Sequence, residues 1–252
     1  MIQSGRARNP KLRVILALAM LAASSAEAQP SAAVQLQKAS DLIHAFTDAG
    51  GDSIPPELLE RARGMAIIPD VFRGGFILGA RRGRGILSLR MDDGSWSNPA
   101  FVTLTGGSIG WQIGAESTDI VLIFANENAV KNISSGKFTL GGAASAVAGP
   151  LRREASSTMT FRAEVYGYLR SRGLYAGAAF QGARLDIDED LGRAFYQGFS
   201  GVRPLGPMSA ATPSDARDFL LALDQAVLAS ARSNVEPEAE TDPETRTFPL
   251  PD

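Results

Sequence analysis

The 252-residue chain contains no cysteine and only one histidine, His44. The first absence removes disulfides, thiol nucleophiles and the lipidated cysteine that would anchor a lipoprotein. The second leaves any zinc site short of ligands and any serine triad with a single candidate base. No apolar run reaches the roughly twenty residues needed to span a bilayer; VILALAMLAASSA, at 14–26, has thirteen. A surplus of one charge is missing too, with 25 basic residues against 27 acidic ones. Nucleic-acid binding, which leaves a strongly basic footprint, is therefore not expected.

What is present starts with a leader. Arg6, Arg8, Lys11 and Arg13 precede that short apolar run, and Ala26 and Ala28 form an A-x-A site. The pattern predicts a signal peptide over 1–28, cleavage before Gln29 and a periplasmic location, with the protein free or peripheral on a membrane. The other end, 233–252, holds six acids against Arg246, is rich in proline and threonine, and lacks hydrophobic periodicity. It reads as an acidic disordered tail. Between them, 29–232 carries 20 residues of each sign and is long enough for one large domain.

Helical spacing of Leu36, Ala39, Leu42, Ile43 and Phe46 predicts a first helix, ended by Gly50-Gly51. PPELLERARGM fits a short second helix that starts on its prolines. From Ala66 the texture changes to short β-type runs divided by glycine-containing turns. Asp93-Gly94 and Ser171-Arg172-Gly173 give hairpin signals. Helix returns in DEDLGRAFYQG and in TPSDARDFLLALDQAVLASAR. In the latter, Thr212 is the expected N-cap, and Phe219, Leu220, Leu223, Val227 and Leu228 form the apolar face. The fold class is α+β: a glycine-rich, mostly antiparallel sheet, open or barrel-like, flanked by N-terminal and C-terminal helices.

The stretch 73–90, RGGFILGARRGRGILSLR, combines glycines and arginines in a way that could suggest a phosphate loop. It contains neither the Walker spacing nor G-x-G-x-x-G, and ILSLR after it is strand-like, so no helix N-terminus follows to hold phosphate. Its glycines read as positions where a strand bends or another backbone comes close. Gly106–Gly110 matches G-x-S-x-G around Ser108. However, its flanks are β-like and His44 precedes the serine, so a serine hydrolase is only a remote alternative. Asp186, Asp188 and Asp190 start like a calcium loop, but Leu191 and Gln197 stand where that loop needs glycine and glutamate. No enzyme, metal or cofactor is expected.

Taken in order, RARGMAIIPDVFRGGFILGARRGRG, DGSWSNPAFVTLTGGSIGWQIGAESTDIVLIF, GKFTLGGAASAVAGPL, SRGLYAGAAFQGARLDID and AFY resemble the SYLF family. This is a lipid-binding domain, also labelled actin-binding in its eukaryotic members, and the resemblance covers roughly 33–230. It implies a non-catalytic α+β domain that binds anionic membrane lipid. It also implies a role for the cation of the first helix, Lys38. The alternative is a protein-interaction or scaffold module.

The residues themselves add an arginine cluster, Arg61, Arg63, Arg73, Arg81, Arg82 and Arg84, in an otherwise neutral domain. Basic clusters are attracted to anionic lipid. Strand alternation puts Arg82 and Arg84 on one face and Arg81 on the other.

Overall fold

The protein is described here from a computed structural model covering residues 31–233, except 77, 110–115, 135–136, 142–144, 156–158 and 181. The expected leader, and all but the first residue of the expected tail, lie outside the described residues.

The first helix, α1 (Ala32–Thr47), buries Leu36, Ala39, Leu42, Ile43 and Phe46, the residues whose spacing predicts it. Gly50, at φ 59°, releases the chain from it. Helix α2 (Pro56–Glu60) starts with Pro55 as N-cap and Pro56 in its first turn, where a missing N–H costs nothing. The strands follow: β1 (Gly64–Phe76), β2 (Leu78–Leu89), β3 (Ala100–Ile109), β4 (Glu116–Phe124), β5 (Lys137–Thr139), β6 (Ala146–Ala148), β7 (Val165–Ser171), β8 (Leu174–Gly177) and β9 (Arg184–Ile187). They form one sheet in the order β5-β9-β3-β2-β1-β4-β7-β6, with β8 also on β7. Among the described residues only β6 runs parallel to its neighbour.

Both predicted hairpin turns are present. Gly94 sits at φ 83°, and the Asp93 carboxylate accepts from the Ser95 hydroxyl and N–H, which holds its pKa below the ordinary value. Arg172 and Gly173 both have positive φ, as a two-residue hairpin turn of the right twist requires.

Three further α-helices lie among the described residues. The first, α3 (Glu127–Ser134), is not foreseen in the sequence reading; Asn126 Oδ1 accepts from Ala129 N–H and starts it. Helix α4 (Glu189–Tyr196) is capped by Asp188, which accepts from Leu191 N–H at 3.0 Å. Helix α5 (Ser214–Ser233) corrects the expected cap. The Thr212 hydroxyl donates to Asn98 Oδ1 and accepts from Ser209 N–H, while the carbonyl of Pro213 takes the first helical bond, from Arg217 N–H. Leu228 is also exposed, because its neighbour Val227 takes the buried position.

Period-two alternation divides the buried side chains between two cores. On one face of the sheet Met65, Ile67, Ile86, Phe101, Val121, Ile123, Tyr166 and Tyr168 pack under α1, α2 and α5. The other face carries Ala66, Ile68, Val71, Leu87, Val102, Leu104, Ile120, Leu122, Phe124 and Leu185. Little helix covers that second face; the sheet covers it by curling. Phe124 of β4 and Phe138 of β5 lie five strand steps apart, about 24 Å in a flat sheet. Their ring centroids are 5.7 Å apart. The result is a half-barrel, since no ladder among the described residues joins β5 to β6 or β8.

Candidate functional site: a bare arginine and threonine face

The glycines of 73–90 are sheet glycines. Strand β1 contains one extra residue: its register against β2 shifts between Ile67 and Phe72, and against β4 between Ile68 and Val71. Asp70, at φ 51°, lies in this bulge. The bulge presses the β1 backbone onto β2. A Cβ on Gly85 would stand 2.3 Å from the Ile67 carbonyl oxygen, and one on Gly83 would stand 2.5 Å from the Val71 side chain. Together with Phe180, which sits over Gly167, these contacts fill the described inside of the half-barrel.

A chain of polar contacts secures the bulge from the helix side. Lys38 Nζ of α1 lies 2.6 Å from Asp70 Oδ2, and Asp70 N–H donates to Asp119 Oδ1 at 3.0 Å. Arg170 donates from Nε and Nη2 to Asp119 Oδ2, at 2.9 and 2.7 Å. Burial alone would lower the pKa of that guanidinium, but hydrogen bonds with Asp119 and Tyr175 outweigh it and hold the group charged.

Beyond the bulge, the face that carries α1 in its other half changes character. Register places Ser117, Phe72, Arg82, Thr105 and Arg184 in one row across β4, β1, β2, β3 and β9. A second row holds Arg84, Thr103 and Asp186. Side chains opposite one another in such rows are about 5 Å apart. Phe72 is 53% exposed. Arg184 Nε donates to Asp186 Oδ1 at 2.7 Å, so those two charges cancel. Arg82 and Arg84 have no carboxylate partner among the described residues, and Lys137 of β5 lies opposite Asp186 in the second row, so the face is cationic.

The arginine cluster of the sequence therefore separates in space. Arg82 and Arg84 share the bare face. Arg81 points to the opposite one, its guanidinium 5.3 Å from the Phe180 ring centroid. Arg61 and Arg63 are exposed near the start of β1, about 20 Å away along the strand. Arg73 pairs through its backbone with Arg81 and Glu116, and its side chain lies outside the described residues. Lys38 is tied to Asp70 rather than free. Sequence reasoning did not single out Phe72, Thr103, Thr105 or Arg184. The alternation in FVTLT was the available signal, with threonines facing one way and Val102 and Leu104 the other.

The candidate catalytic groups do not assemble. Ser108 lies within β3, paired with Gly79, and not on a strand-to-helix turn. Asp186 holds Arg184, Asp188 caps α4 and Asp190 pairs with Arg193. Burial pushes the hydroxyls of Tyr168 and Tyr196 far up, and each donates to a backbone carbonyl, Pro150 O and Pro99 O respectively.

A curled, mostly antiparallel half-barrel with N-terminal and C-terminal helices on the face that also holds the arginine stretch defines an α+β domain. The family model described as "Las17-binding protein actin regulator" matches residues 105–226. The chain is 36% identical over 172 residues to "LAS seventeen-binding protein 3" of Saccharomyces cerevisiae, covering 64% of this chain and 37% of that protein. To the human "SH3 domain-containing YSC84-like protein 1" it is 35% identical over 170 residues, 64% of this chain and 49% of the relative. To "SH3 domain-containing protein PJ696.02" of Schizosaccharomyces pombe it is 34% identical over 192 residues, 72% and 44%. The chain belongs to the SYLF domain family. It spans between a third and a half of the length of these curated relatives.

Proposed function

We infer that this chain is a non-catalytic binding module whose bare sheet face docks an acidic surface of a partner protein. The observation that carries the reading is the pair Arg82 and Arg84, without a carboxylate partner among the described residues and beside the exposed Phe72. Guanidinium groups on a rigid strand are held apart at fixed spacing, which suits paired carboxylates. The names of the relatives, one a Las17-binding protein, support a protein as the occupant. The leader-like 1–28 supports secretion, so the partner is sought outside the cytoplasm.

A second reading is favoured by Phe72. An exposed aromatic flanked by arginines also suits an anionic membrane, with the ring at headgroup depth and the guanidiniums on phosphates. At about 1 kcal/mol per basic residue, Arg82→Ala with Arg84→Ala would then weaken binding to phosphatidylglycerol or cardiolipin vesicles about thirtyfold.

One experiment separates the two readings. A photoreactive residue replaces Thr105, and cells producing the full chain are irradiated. The protein reading expects a discrete protein adduct that disappears when Arg82 and Arg84 are both changed to Glu. Adducts to phospholipid alone transfer the face to the membrane reading, and adducts indifferent to the two arginines remove it as a binding site.

A further inference from the structure

The bare face has a complementary segment in the same chain. Residues 234–252 carry Glu236, Glu238, Glu240, Asp242 and Glu244, then Phe248, Pro249 and Leu250. The face offers two guanidiniums with no carboxylate partner among the described residues, and an exposed phenyl ring. Acids followed by apolar residues in the tail thus match arginines beside an aromatic on the face. We propose that the acidic C-terminal segment docks on the Phe72–Arg82–Arg84 face and occupies it until a partner displaces it.

Reach allows this. The segment begins directly after α5, at Ser233. Its 19 residues extend to about 60 Å, twice the about 30 Å length of the 20-residue α5. Tethering also raises the local concentration of the acids to roughly millimolar, so contacts too weak to hold a free peptide suffice in the intact chain. Residues 29–232 carry no net charge, so attraction of the tail has to come from local cations, and the match rests on these two arginines beside Phe72. The proposal builds on the reading of this face as the binding surface and supplies its regulation: a partner must outcompete the tail, and salt weakens both contacts.

The test uses the full chain. Because it has no native cysteine, Ala239→Cys gives a single site for a nitroxide label. Docking is expected to broaden the amide signals of Arg82, Arg84, Thr103 and Thr105 at low ionic strength. Leu174, four strands away from Arg82, stays sharp. Changing Glu236, Glu238, Glu240 and Glu244 to Gln and Asp242 to Asn should remove at least half of the broadening, as should Arg82→Glu with Arg84→Glu. Signals as sharp as that of Leu174 would overturn the proposal, and so would broadening that survives neutralisation of the acids. Labelled chain mixed with isotope-enriched, unlabelled chain tests for exchange between molecules, and broadening there would replace intrachain docking by self-association. Loss of the photo-adduct in the arginine variant without any broadening would leave the binding face standing and remove only the tail from it.

Discussion

Two halves of one sheet face carry opposite chemistry although the same strands build both. On the near side of the β1 bulge, Met65, Ile67, Ile86, Phe101, Val121 and Ile123 lie buried under helices. On the far side, Phe72 and Arg82 are exposed and Arg84, Thr103 and Thr105 are half-buried. The division falls at the bulge, where one extra residue restarts the inward and outward alternation of β1 while β2 continues without interruption. Burial on the near half supplies stability, at about 25 cal/mol per Å² of apolar surface. The far half contributes little to that and is free to vary for recognition. A fold can thus separate its stabilising and binding functions within ten residues of strand.

Breaking the covered half should have the largest effect. Phe219→Ala removes a fully buried ring from the α5 side of that core and is expected to cost about 4 kcal/mol in denaturant unfolding. Next is the seam between the halves. Gly85→Ala sets a methyl against the Ile67 carbonyl, and the loss should be about 3 kcal/mol, since the obstacle is backbone and cannot rotate away. A near-neutral result would mean that the β1 backbone gives way around the methyl. Asp119→Ala leaves Arg170 without its carboxylate and Asp70 N–H without its acceptor; about 2 kcal/mol is the expected cost, read from the same unfolding curves. Smallest should be Arg82→Ala and Arg84→Ala, each within about 0.5 kcal/mol of the parent even while capture of the partner fails. If the two arginines instead prove as costly as Asp119, the two halves are not separable, and the comparison falls.

Much of the architecture was legible because local chemistry dictates it. Prolines at a helix start and turns that demand positive φ act over three or four residues, so α2 and the hairpins at Gly94 and Gly173 could be read directly, whereas the Asp188 cap of α4 was not singled out. Helix α3 escaped because ENAVKNIS has few apolar residues, and its start is marked by no more than Asn126 and Glu127. The site was half legible. Alternation separated Arg81 from Arg82 and Arg84, but Lys38 meets Asp70 across 32 residues of sequence, and no local pattern reveals such a pairing. Phe72 joins Arg82 only once the bulge has set the register, and the spacing of the arginines is silent about a bulge on the neighbouring strand.

The half-barrel also has a seam. Among the described residues the nine-stranded sheet does not close, which leaves two edges of backbone amides, an invitation to stack end to end into fibres. Here the row on one side belongs to β5, three residues long, and the row on the other is shared by β6 and β8, of three and four. So short a row offers an incoming strand only two or three hydrogen bonds, too few to offset the entropy of holding it in place. The protein can therefore leave its barrel open without becoming a template for its own polymerisation.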